Sequence, residues 1–272
     1  MPTTINSLAS NTNGNATSPS VASSSFVPTA NEKIYAFGVA QNDGDTLAHV
    51  WACSGGGLDW EPIVVSAEVA WDGAGSSFDV TVVLFEAVAP SSPSSMTVTL
   101  ANHTPPDGCY ISTRVFEVVG GELIQVKVNA TTEGGGASES HTSTPLDANA
   151  TNGNLSVACL GVAHDGGSGP GTPADWDPLG TVQSQGYTHA NVYSRDDFTG
   201  TSVVWSNLVG GVGSCGAAGS IVMEFGGVTQ DIYPDSDVTR IDWVNESAAT
   251  TNLWQSIDED SVSDSDYITV SV

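Results

Sequence analysis

Along this chain, short runs of β-branched, aromatic and small apolar residues are separated by groups of Gly, Ser, Asn, Asp and Pro. No stretch repeats its apolar positions at the 3.6-residue period of a helix. Short apolar or alternating runs bounded by turn formers predict strands. Ile34–Ala40 is apolar-leaning throughout and predicts a strand buried on both faces, whereas Met96, Val98 and Leu100 alternate with Thr97 and Thr99 and predict a strand buried on one. The same reading places strands at Leu47–Cys53, Ile63–Trp71, Phe78–Ala89 and Ile111–Val119, with Leu123–Asn129 running out of that unit. It places others at Leu155–Val162, Thr181–Gln185, Ala190–Ser194, Ser202–Ser206 and Ala217–Phe225. The expected class is all-β, built as a sandwich or jelly roll.

The pattern is written twice. Asn31–Asp45 is echoed by Asn152–Ser168, Leu58–Ile63 by Ala174–Leu179, and the run from Cys109 to Gly121 by that from Cys215 to Gly227. The offsets are 121 at Ile34 and Leu155, 116 at Trp60 and Trp176, and 107 at Glu117 and Glu224. They shrink steadily, as a second copy with shorter loops requires. An internal duplication predicts two tandem β-sandwich or jelly-roll-like domains. The expected parts are a flexible N-terminal arm over 1–25, a first sandwich over 26–130, a Gly/Ser-rich linker over 131–144, a second sandwich over 145–227 and an acidic C-terminal segment over 228–272. The alternative is that both copies merge into one large sandwich. The arm is too poor in large apolar residues to form a core. The C-terminal segment ends in the strand-like run Tyr267–Val272, suited to adding a strand to a neighbour.

Charge narrows the partners. Thirty-one acidic residues against five basic ones give a formal net charge of −26. Binding to a nucleic-acid backbone needs Lys and Arg to neutralise phosphates, and an anionic membrane surface needs the same, so both are excluded as expected partners. Such charge repels itself within a compact fold; salt or bound divalent cations would relieve it, as would simple solvation of an acidic surface. The N-terminus lacks the basic and apolar regions of a secretory signal. No apolar run approaches the ~20 residues of a membrane helix.

Candidate chemistry is sparse. Asn42-Asp43-Gly44-Asp45 holds the D-x-D spacing of a calcium loop without its later Glu, so Asp43 and Asp45 are candidate Ca²⁺ ligands; Asp-Gly is equally a turn. No other cofactor is indicated. Asp59 and Glu61 flank Trp60, and Asp175 and Asp177 flank Trp176; each pair could bind calcium or serve a glycosidase, or be solvated acids beside a core Trp. Five scattered histidines, His49, His103, His141, His164 and His189, form no catalytic motif, although a spatial Ser/His/Asp triad needs no sequence proximity. Trp51, Trp71, Trp205 and Trp254 are candidates for stacking on sugars, or for the core. Cys53, Cys109, Cys159 and Cys215 show no C-x-x-C; a Cys53–Cys109 disulfide is conceivable, and Cys159 reads as a buried small residue.

One resemblance bears on function. Pro234-Asp235-Ser236-Asp237-Val238, Trp243, Leu253-Trp254-Gln255-Ser256-Ile257-Asp258-Glu259 and Asp264-Ser265-Asp266-Tyr267-Ile268 together resemble a segment of structural proteins of tailed bacteriophages and related viruses. The lead-in Ser24–Asn31 and the closing Val115-Phe116-Glu117-Val118 resemble virion sandwich domains. The usual segment continues into a fuller β-domain, and this sequence stops at Val272. The resemblance implies a virion surface component (a head decoration, fibre or tail protein) made in the host cytoplasm. It also implies action by packing against its own copies or other virion proteins, and it carries no catalytic residues. Trp254 and Tyr267 are then candidate partner or glycan contacts. A glycan-binding or adhesive sandwich is the second expectation and a secreted hydrolase the third.

Overall fold

A computed structural model describes residues 3–13, 20–43, 50–73, 76–102, 109–132, 140–147, 154–164, 170–180, 188–196, 198, 202–208 and 215–227. Residues 228–272 are a separate unit outside the described residues. The expected strand donor, with Trp254 and Tyr267, lies there. The described residues hold fifteen strands: β1 Thr4–Asn13, β2 Ser20–Ala22, β3 Lys33–Asp43, β4 Trp51–Gly55, β5 Glu61–Gly73, β6 Ser76–Val88, β7 Val98–Asn102, β8 Cys109–Val119, β9 Gly121–Thr132, β10 Ser140–Thr142, β11 Leu155–His164, β12 Asp177–Pro178, β13 Thr188–Asp196, β14 Val204–Ser206 and β15 Cys215–Gly227. All pairings are antiparallel. The all-β expectation holds. The strand expected at Thr181–Gln185 lies outside the described residues.

Two five-stranded sheets, ordered β1-β8-β3-β6-β5 and β12-β13-β11-β15-β9, are flanked by smaller sheets β2-β7-β4 and β10-β14. In the first half, strands 1 and 8, 2 and 7, and 3 and 6 pair as nested partners, which is the wrapping of a jelly roll. Reading β9 to β15 against β1 to β8, the large-sheet order is the same in the second half. The small sheets share local contacts too. The Ser23 N–H donates to the Val98 carbonyl at 2.8 Å, and the Val98 N–H donates to Ser23 Oγ at 3.0 Å. Ser143 and Val203 make the same two bonds at 2.9 Å each.

Each large sheet buries both faces. Tyr35, Phe37, Val39, Val82, Leu84 and Phe116 of the first meet Val157, Cys159, Val192, Ile221, Met223 and Phe225 of the second in one core. Tyr35 stacks on Phe116, with ring centroids 5.3 Å apart, and meets the edge of Phe225 across the seam at 5.4 Å. The opposite faces pack under the small sheets: Ile34, Ala36, Val83 and Phe85 with Val98 and Leu100, and Ala158, Leu160, Val162 and Tyr193 with Val203 and Trp205. That is why Ile34–Ala40 is apolar without alternation. The sheets approach closely at Gly161: a methyl group there would lie 2.6 Å from Val39 and Val82.

Several boundaries differ from expectation. The N-terminal stretch is not a free arm: Thr4–Asn13 pairs with Ile111–Val119 of β8, and Ser20–Ala22 pairs with β7. A polar edge strand needs few apolar residues, because its ladder bonds and one face suffice. Gly121–Thr132 does not finish the first sandwich; it pairs with β15 in the second large sheet, so the halves divide at Gly120. The expected linker contributes Thr131 and Thr132 to β9 and Ser140–Thr142 to β10, while 133–139 lie outside the described residues. The shared core makes the halves one layered sandwich rather than two separate domains.

Candidate functional site

The structure disperses most of the candidates. Asp43 ends β3, its backbone opposite Phe78; its side chain and all of Asp45 lie outside the described residues, as do His49, His103, the side chain of His164 and that of Trp71. Among the described residues, no cluster of His, Cys, Asp and Glu could hold a metal ion. Asp59, Glu61, Asp175 and Asp177 are exposed, while Trp60 is half-buried and Trp176 buried. The local reason is chain direction: each Trp directly precedes a strand and turns under a small sheet. Trp51 is also core, its Nε1 donating to Thr81 Oγ1 at 3.1 Å, and Trp205 is fully buried.

The conceivable Cys53–Cys109 disulfide does not form: Cys53 carries a free thiol, half-buried in the small sheet, and burial raises its pKa. Cys159 is a buried free thiol, as expected, and burial raises its pKa too, with Arg114 opposing. Neither thiol suits nucleophilic work, which needs the thiolate.

One Ser–His pair does form. His141 Nε2 lies 2.8 Å from Ser220 Oγ, with the ring of Trp205 5.7 Å away. Both side chains are fully buried, and burial lowers the His141 pKa to about 4. No substrate can reach such a pair without opening the layer, and a base of that pKa is a poor proton acceptor from serine.

What the fold does assemble is a set of internal polar anchors. Arg114 of β8 crosses the seam and donates through Nη1 to the Leu179 carbonyl at 2.8 Å and through Nε to the Ala190 carbonyl at 3.3 Å. Burial lowers its pKa. Ser112 Oγ donates to the Thr188 carbonyl beside it at 2.8 Å. Glu117 accepts from Asn6 Nδ2, the Thr29 N–H and Thr29 Oγ1 at 2.7–2.9 Å. Glu224, its counterpart, accepts from Gln125 and Asn154 side-chain amides. Asn6 and Gln125 stand directly opposite these two glutamates on β1 and β9. Both glutamates stand at matching places in the two similar runs Cys109–Gly121 and Cys215–Gly227; a lone Glu between apolar strand positions is the signal for such an anchor.

The other Lys and Arg side chains among the described residues are also engaged. Lys33 pairs with Glu86 and Glu122 at 3.7 and 3.2 Å, Lys127 with Asp147 at 2.8 Å, and Arg195 with Asp175 at 3.7 Å. Arg195 also lies over the Phe198 ring. Comparison of the chain with protein-family models, with curated proteins and with solved structures finds no match in any of the three.

Proposed function

We propose that this chain is a non-enzymatic structural protein of a virion surface, of the decoration, fibre or tail kind in a bacteriophage-like particle, acting by packing against its own copies or other virion proteins. The observation that carries this reading is the doubled jelly-roll strand order. That architecture serves viral coats and lectins, and here its interior is filled by side chains and internal anchors. Fold supports function only by analogy, so the resemblance over 234–268 supplies the second support. The basic side chains among the described residues are spent on the fold, which favours a protein partner over a polyanion.

The assembly element of this reading is 228–272. The N-terminal stretch is committed to the chain's own sheet and is withdrawn as a second one. The open edges of the large sheets are blunted against strand addition. β1, β5 and β9 carry bulges, with Pro62 in β5, and β12 is two residues long with Pro178. The acceptor for Tyr267–Val272 is therefore assigned to another copy or another protein.

The test is the mass in solution by light scattering, full length and truncated after Gly227, with and without Ca²⁺. Oligomers that dissociate on truncation support assembly through the tail. Dissociation on chelation would add a bridging cation at Asp43 and Asp45. A monomer under every condition, alone and with other virion proteins, rejects the reading.

A further inference from the structure

The first half is a jelly roll with one pairing left out. β1 nests with β8, β2 with β7 and β3 with β6, so β4 and β5 would be the fourth pair. Instead β5 joins the large sheet beside β6. β4 pairs with β7 on one side, and its other side has no ladder partner among the described residues. The ladder fixes which groups point into that gap, because successive residues of an antiparallel strand direct their N–H and C=O to alternate sides. Val98 spends both on Ser23, on the β2 side. Gly55, opposite Val98, therefore turns its own groups away from β7, as do Cys53 and Trp51. The Gly55 carbonyl accepts from the Leu58 N–H and from Trp60 Nε1, each at 3.2 Å. The N–H and carbonyl of Trp51 and of Cys53 remain as an open ladder segment.

The other sheet edges among the described residues are protected. Those of the large sheets carry bulges or prolines. In the small sheets, Asn11 Nδ2 donates to the Ala22 carbonyl of β2, and Asn129 Nδ2 to the Thr142 carbonyl of β10, each at 2.7 Å. Beside β14 runs Pro170–Pro173, where a methyl on Gly171 would lie 3.7 Å from the Ser206 carbonyl. Its two prolines have no N–H to offer a ladder. β4 has five residues with no proline, no charge and no register shift. Proteins blunt the edges that must stay unpaired, so an unblunted one marks a place for another strand.

Charge indicates whose strand it is. The chain carries a formal net charge of −26, yet β2, β4 and β7 contain no charged residue. On the face away from the core they present Ser20, Ala22, Ala52, Ser54, Thr99 and Ala101, all small. Val50, directly before β4, is an exposed apolar side chain. Two copies meet here with the least mutual repulsion. We propose that β4 pairs antiparallel with β4 of a second copy about a two-fold axis, joining two three-stranded sheets into one of six. A pair centred on Ala52 sets Trp51 opposite Cys53 of the other copy and makes four main-chain hydrogen bonds from the groups left open. Centring on Cys53 would call on the Gly55 carbonyl, which its turn already holds. The inference rests on the assembly reading for its partner, a copy of the chain, and uses no residue beyond Gly227.

The test is sedimentation of the full chain over a range of concentrations up to about 1 mM, since an interface of one strand pair is small and binds weakly. The expected result is a monomer–dimer equilibrium, weakened at least about tenfold in Ala52→Glu, which sets like charges opposite each other at the axis. Ala52 faces its own copy as a non-hydrogen-bonded pair, with Cα atoms about 4.5 Å apart, within reach of a disulfide. Ala52→Cys should therefore give a disulfide-linked dimer on mild oxidation, while the parent and Thr99→Cys, one strand in from the edge, should not. The proposal is overturned by a monomer at every concentration, or by a dimer that Ala52→Glu leaves intact and Ala52→Cys does not link. The second outcome would leave packing between copies standing through another surface, so the two readings fail separately.

Discussion

Arg114 and Leu179 join the two halves of the chain: the guanidinium of one donates to the main-chain carbonyl of the other at 2.8 Å across the seam between the large sheets. The same side chain reaches the Ala190 carbonyl, and the Gly180 turn leaves no room beside it, since a methyl there would lie 2.7 Å from Nη1. Replacing Arg114 by Met keeps apolar volume and removes both bonds, leaving two carbonyls to find other partners. Each such loss costs about 1–3 kcal/mol. Arg114→Met should therefore lower stability by roughly 2–4 kcal/mol in urea melts. A change below about 0.5 kcal/mol, the level of an ordinary surface substitution, would show that the clasp contributes nothing.

Glu117 and Glu224 make a paired prediction. Each accepts side-chain amide donors inside its own half, and Glu117 also accepts a main-chain N–H. Glu→Gln at either site turns one acceptor oxygen into a donor aimed at donors. The expected cost is about 1–3 kcal/mol for each variant. The two sites share no hydrogen-bond partner, so the double variant should show the sum to within about 0.5 kcal/mol. Strong non-additivity in thermal melts would mean that the halves transmit strain between these anchors.

How much of this was legible beforehand follows from particular residues. The central strands were readable because both of their faces are buried, so Ile34–Ala40 and Leu155–Val162 stand out as apolar runs. β1 was not, because an edge strand such as TINSLASNTN needs only Ile5, Leu8 and Ala9 to pack, and its Ser and Asn read as disorder. The sequence likeness between the halves runs one residue out of the ladder register at β3 and β11. Sequence likeness aligns Ile34 with Leu155, whereas the ladders align it with Ser156. A shift of one exchanges the two faces of a strand: Ile34 packs under the small sheet and Leu155 in the seam. That offset hid the change from Ile34 to Ser156. Sheet membership of β9 was equally hidden, because alternation shows that a strand exists and not which neighbour it joins.

His141 makes stability depend on pH in a known direction. Burial holds its pKa near 4, below the ordinary value of 6.5. The unfolded chain therefore takes up a proton first as pH falls. Above about pH 6.5 both states are neutral there, and the fold keeps its full stability with respect to this group. Between 6.5 and 4 stability is lost, up to about 3 kcal/mol, and below that range the loss levels off. Because many acids also titrate at low pH, the measurement is a difference: His141→Leu should lose about 3 kcal/mol less than the parent between pH 7 and pH 4. Equal losses in the two proteins would show that His141 is protonated in the folded state at no cost.

Gln41 should be improvable. It is fully buried, it lies on the face of β3 that carries Tyr35, Phe37 and Val39, and neither its amide nitrogen nor its oxygen has a hydrogen-bond partner. An unsatisfied amide keeps its desolvation cost without return, and a similar apolar shape removes that cost. Gln41→Met preserves length and flexibility, so overpacking is small. It should raise stability by about 1–3 kcal/mol. For a chain of this size that is a rise of several degrees in Tm, at about 2–4 °C per kcal/mol. A fall in Tm would mean that ordered water satisfies the amide within the seam. Gln41 would then be one more polar anchor between the halves, alongside Arg114 and Ser112.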